Sequence, residues 1–149
     1  MNKTYLNKKN LLIIILFISS IFFNQYYGNI GVQPIDSFFS FNSGYDVLNG
    51  YFPFKDYWTI TGPFIDLVQA IFFKVFGVSW FSYVLHASIF NFIFTIFFFY
   101  TLRKFKLNIN HCFLYSLFLS FLAYPSAGTP YVDHQSSYLS AMAVLSFIL

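Results

Sequence analysis

The sequence predicts an all-α integral membrane protein, a multispan helical bundle whose first extracytoplasmic loop contains interfacial helices. Three observations carry this expectation. Of the residues, 58% are hydrophobic and 9% charged, whereas about 25% of a typical soluble domain is charged. Apolar runs recur that are long enough to cross about 30 Å of hydrocarbon at about 1.5 Å per residue. The charges are also sorted by side: Lys3, Lys8, Lys9, Arg103, Lys104 and Lys106 flank apolar runs at one level, while Asp36, Asp46, Asp56, Asp66 and Asp133 fall at the other, and only Lys55 and Lys74 break the sorting. Basic clusters face the cytoplasm by the positive-inside rule, so the N-terminus is expected inside and the acids outside.

The first span is expected at about residues 10–27. Lysines precede LLIIILFISSIFF as in a signal peptide, but NQYYG follows where a small-residue cleavage site would stand, which makes the segment an uncleaved anchor. Residues 28–79 form the outer loop. Within it a helix starts at Pro34, with Phe38, Phe41, Tyr45 and Leu48 on one stripe and Asp36, Ser40 and Ser43 on the other, facing a cavity. Gly50 to Pro53 end that helix. Gly62-Pro63 then opens a second helix that stops at Gly77; at about 21 Å it is too short to span, and Asp66 and Lys74 are expected to reach water from the interface. Residues 80–102 are the clearest span, and Arg103, Lys104 and Lys106 follow it directly. A third span covers 109–124 and ends at the turn PSAGTP; a fourth begins near 136 and reaches Leu149 without a cap or basic flank, so the chain is expected to be the front of a longer protein.

The order of these features carries a resemblance. A basic N-terminus and anchor, Asp36 followed by Gly50, the run Pro53-Phe54-Lys55-Asp56, the step Gly62-Pro63, an apolar helix ending Phe76-Gly77, and Trp80 opening the next span together resemble the N-terminal region of C-type membrane glycosyltransferases. These are the polyprenyl-phosphate-sugar-dependent enzymes that include protein O-mannosyltransferases and aminoarabinose-transferase-like proteins. The resemblance covers nearly all of this chain but only the front of such an enzyme, and Asp36-Ser37 departs from the Asp-Glu of many relatives. It implies transfer of a sugar from a polyprenyl-phosphate donor to a lipid, glycan or protein acceptor, at the outer face of the bacterial plasma membrane.

The resemblance also implies roles for particular residues. Asp36 and Asp133 are the catalytic candidates. Either carboxylate is suited to take the proton of an attacking acceptor hydroxyl or to hold a divalent metal ion that orients the phosphate. Lys55, Asp56 and His134 are the donor-binding candidates, with Lys55 offering positive charge to the departing phosphate. Structural alternatives stand beside these roles: Asp36 as a helix N-cap, Lys55 and Asp56 as a surface ion pair, His134 as a hydrogen-bonded loop histidine. His86 and Asn91 lie within a span, where polar groups pack against other helices. Cys112 has no partner for a disulfide, and neither a phosphate-binding glycine loop nor a basic nucleic-acid stripe occurs. The competing functional readings are a lipid-linked-sugar transporter and an inactive gene fragment.

Overall fold

Proline, glycine and short polar side chains set the helix limits of this chain. The computed structural model describes residues 3–30, 34–59, 62–124 and 128–148; the side chains of 3–6 and 34–36 lie outside the description. Among the described residues there are six α-helices and no strand: α1 (Lys3–Ile30), α2 (Pro34–Leu48), α3 (Pro63–Phe76), α4 (Trp80–Lys104), α5 (Ile109–Leu122) and α6 (Val132–Ile148). Pro63 occupies the start of α3, where its missing N–H is harmless, and Gly77 at φ 82° ends it by donating to Phe73 O. Ser79 opens α4 through a reciprocal capping arrangement with Ser82, and Asn108 caps α5 by accepting from Asn110 N–H.

Two helices are long and apolar enough to cross a membrane, over Asn7–Ile30 and Trp80–Lys104. They pack side by side with α5 laid against both, while α2 pairs with α3, and α3 and α6 rest on α4. An apolar cluster of Leu16, Phe99, Ile109 and Cys112 joins α1, α4 and α5 at the Arg103 end. At the other end the Trp80 ring lies between α1 and α2: its indole N–H donates to Gly28 O at 2.8 Å, and its face meets Phe38 and Phe41 at 5.7 and 6.3 Å. The last carbonyls of a helix have no partner within it. Trp80 thus closes the end of α1 and pins α2 to the bundle.

Polarity runs inward. On α5 the buried residues Cys112, Ser116 and Ser120 recur every fourth position, and Leu114, Tyr115, Phe118 and Leu122 point outward. α1 likewise buries Ser20 and Asn24 and exposes Leu11, Ile14, Ile18 and Phe22. A water-soluble bundle has the reverse arrangement. Small and hydroxylated residues at helix contacts, with large apolar residues outside, are how helices associate in lipid, where apolar burial supplies no drive.

α1 runs over Lys3–Ile30 and contains the segment 10–27, and α6 begins at Val132, so Asp133 and His134 belong to its first turn. Other expectations are corrected. Asp66 does not reach water; it is fully buried, whereas Lys74 is exposed. Ser37, Ser40 and Ser43 are buried as well, so this face of α2 turns inward to the helices and Phe38 and Tyr45 are left outside. The physical reason is Gly44. A Cβ there would lie 2.6 Å from Gln69 Cγ, so only glycine allows α2 to approach α3 closely enough to cover Asp66. The centre of the turn PSAGTP, residues 125–127, lies outside the described residues.

Candidate functional site

Asp66 sits in the first turn of α3, where the helix dipole favours a negative charge. Its two oxygens are held from different elements: Ser43 Oγ of α2 donates to Oδ1 at 2.8 Å, and the Tyr57 hydroxyl donates to Oδ2 at 2.9 Å. Burial, the hydrogen bond to Asp66 and its charge all raise the Tyr57 pKa far above its ordinary value, so the phenol keeps its proton and remains a donor. Tyr57 is delivered by a tight turn. Phe52 N–H donates to Asp56 Oδ2 at 2.8 Å, Phe54 N–H donates to Tyr57 O at 2.8 Å, and Phe54 itself adopts φ 65°. Asp56 therefore organises the turn that places Tyr57.

One turn along α3 from Asp66, Gln69 reaches His86 of α4, which is fully buried. Gln69 Oε1 lies 2.9 Å from Nδ1 and Gln135 Nε2 lies 3.0 Å from Nε2. A carbonyl oxygen accepts and an amide nitrogen donates, so the pair is satisfied by a neutral imidazole with its proton on Nδ1. Phe72 stacks on the ring and Phe90 meets it edge-on, each with centroids 5.1 Å away. His86 thereby ties α3 to α6. The outward ends of the two amides, Gln69 Nε2 and Gln135 Oε1, have no hydrogen-bond partner among the described residues, and neither does Ser37 Oγ.

The sequence-predicted residues lie in different settings. Asp36 is the third residue of α2, and its side chain lies outside the described residues. Asp133 is exposed in the first turn of α6. His134 is half-buried among Tyr124, Tyr131 and Tyr138, with ring centroids 5.2, 5.7 and 6.3 Å away, and its buried Nδ1 has no hydrogen-bond partner among the described residues. Burial lowers its pKa and the neighbouring Asp133 opposes only part of that, so His134 is neutral near pH 7. Lys55 lies 3.7 Å from Asp56 Oδ1 with its side chain 77% exposed, and the turn carrying it also exposes Phe52, Phe54 and Trp58. Its charge is held at the surface, away from the buried carboxylate. No group of three His, Cys, Asp or Glu side chains able to hold a metal ion occurs among the described residues.

Tyr57, Gln69 and Gln135 are not singled out by the sequence; Ser43, expected on the polar face with Asp36, is instead bonded to Asp66, which was expected to reach water. One signal for part of the set exists: Ile65, Asp66, Gln69, Ala70 and Phe73 fall on one helical face, and all are buried. Two polar residues on an otherwise apolar buried stripe mark an internal site. A second buried polar set lies one turn and a half along α4. Asn91 Nδ2 donates to Asn24 Oδ1 at 3.0 Å and to Ser120 O at 2.9 Å, Thr95 Oγ1 donates to Asn91 Oδ1 at 3.2 Å, and Asn24 Nδ2 donates to Gly128 O at 3.0 Å. The chain matches no protein-family model, no curated protein and no solved structure.

Proposed function

We propose that this chain lies in the plasma membrane as a multispan helical bundle, N-terminus in the cytoplasm, and forms the donor-facing part of a glycosyltransferase that uses a polyprenyl-phosphate sugar. One observation carries the reading: at the acidic end of a bundle that is apolar outside and polar inside, the outer loop folds back and meets the start of α6 across His86. Amide groups from α3 and α6 meet there with hydrogen-bonding capacity left over among the described residues. A lipid-borne sugar needs such a place, because its tail stays in hydrocarbon and its hydroxyls need partners at the outer surface.

In this reading the acceptor hydroxyl attacks the anomeric carbon, the bond from that carbon to the phosphate oxygen breaks, and the hydroxyl proton passes to a carboxylate. Asp36 is the base, and Asp133 at the start of α6 is the second acid. Asp66 already accepts from Ser43 and Tyr57; it positions α2 against α3 and does not collect the proton. Lys55 meets the phosphate at the surface as a point charge. A transporter reading has less support, since the polar residues deeper in the bundle, around Asn91, bond to one another.

The test is sugar transfer in membranes by the full-length protein carrying Asp36→Asn, with expression checked. Asparagine caps a helix about as well as aspartate, whereas loss of a positioned base lowers rate by about 10²- to 10⁴-fold. Unchanged turnover removes Asp36 from catalysis.

A further inference from the structure

The opposite end of the bundle carries a site of its own. The start of α1, the end of α4 and the start of α5 enclose a cleft of about 230 Å³ lined by Lys9, Phe99, Tyr100, Arg103 and Ile109. Two of these five residues are cations and none is an acid. Both cations are held in place. Lys9 Nζ lies 4.8 Å from the centroid of the Tyr100 ring, and Arg103 Nη1 donates to Leu107 O at 2.6 Å. Phe99 and Ile109, both buried, form an apolar floor.

We propose that this cleft binds the phosphate-bearing head group of an anionic lipid in the adjacent leaflet. The location fits. The cleft opens at the ends of the two membrane-length helices, where Lys8, Lys104 and Lys106 add further positive charge. Basic pockets between spanning helices at this level recognise anionic lipid head groups. The cleft is smaller than the about 300–1,000 Å³ that enclose a whole drug-sized ligand, so it takes a head group and leaves the tails outside. The cleft's place at the ends of the two membrane-length helices, α1 and α4, argues for a phosphate carried on a lipid whose tails lie along those helices. The proposal rests on α1 and α4 crossing a bilayer and is independent of sugar transfer.

The experiment uses the full chain in nanodiscs, first of phosphatidylcholine alone and then with phosphatidylglycerol added, with retained lipid read by native mass spectrometry. Incorporation into the first discs reports on the membrane reading by itself; a chain that does not enter them overturns that reading and this proposal with it. In the mixed discs, phosphatidylglycerol is expected to be retained over phosphatidylcholine. Lys9→Gln and Arg103→Gln are each expected to weaken retention about fivefold, the factor equivalent to about 1 kcal/mol per basic residue near the surface. Lys74→Gln, at an exposed position on α3, leaves it unchanged. Arg103→Gln also removes the bond to Leu107, so Lys9→Gln, which breaks no hydrogen bond, is the deciding variant. Equal loss in Lys9→Gln and Lys74→Gln means general attraction to the surface and overturns the site. Displacement of the lipid by inorganic phosphate at comparable concentration overturns its assignment to a lipid.

Discussion

Asn91 and His86 lie five residues apart on α4, and both are fully buried, yet the polar networks around them are completed to different degrees. The Asn91 side chain uses both amide hydrogens and its oxygen, and its partners Asn24, Thr95 and Ser120 come from α1, α4 and α5. Nothing on that side chain is left to offer. The His86 network stops short: each glutamine gives one end to the imidazole, and the other ends, Gln69 Nε2 and Gln135 Oε1, go unbonded within the described chain. A satisfied buried network fixes helices in one arrangement, whereas an incomplete one is the place to look for a function. The difference separates a clasp from a candidate site on one helix.

The sharpest way to break the clasp is Gly128→Ala. Gly128 has φ 63°, and an added Cβ would fall 2.2 Å from Gly28 N and 2.6 Å from Asn24 O. Backbone cannot step aside as a flexible side chain does, and the left-handed conformation adds strain of about 1–3 kcal/mol. The variant is expected to lose at least about 3 kcal/mol of stability, measured by reversible unfolding in mixed micelles. Asn91→Leu tests the clasp without a clash. It strands Asn24 Oδ1 and the Thr95 hydroxyl, with an expected loss of about 2 kcal/mol and no change in the activity of molecules that remain folded. A loss of activity exceeding the loss of folded protein would move Asn91 into the functional site and end the contrast with His86.

Around Asp66 the expected effects are smaller. Tyr57→Phe and Ser43→Ala each remove one donor from the buried carboxylate and are expected to destabilise by about 1–2 kcal/mol. Because both donors serve one carboxylate, the double variant should depart from additivity by about 0.5 kcal/mol or more. Strict additivity would show that the carboxylate does not join the two elements.

The smallest effect is a pH dependence from His134. Its pKa in the folded chain is lowered from 6.5 by burial. The unfolded chain therefore binds the proton first: stability is level above about pH 6.5 and falls as the pH drops below it toward the lower folded value. His134→Gln should flatten that decline in thermal unfolding followed between pH 7 and pH 5. A decline of unchanged slope would assign it to another group.

Much of the architecture was legible in the chain. Pro63, Gly77 and the basic residues after Thr101 announced the helix limits because caps and stops are local chemistry, read within a turn or two. The packing role expected of His86 and Asn91 agrees with their observed hydrogen bonds to neighbouring helices. Asp66 was misjudged for an instructive reason: a carboxylate in a short helix at an interface is expected to seek water, and that expectation ignores a second helix laid across it. The closeness of that helix depends on Gly44, twenty-two residues earlier, and a glycine discloses its packing role only when the partner is known.

Sequence by itself determined what depends on composition and short-range order: an all-helical chain, two segments long and apolar enough to cross a membrane, and the sorting of charge to opposite ends. Only the tertiary structure decided which polar groups meet. The bonds that build the two networks join residues 17, 49 and 67 positions apart, and no periodicity or cap signal reaches across such distances. Their pairing follows from which helix faces turn inward, and those faces are selected jointly by glycines that permit contact and by buried polar groups that can be satisfied only in one arrangement.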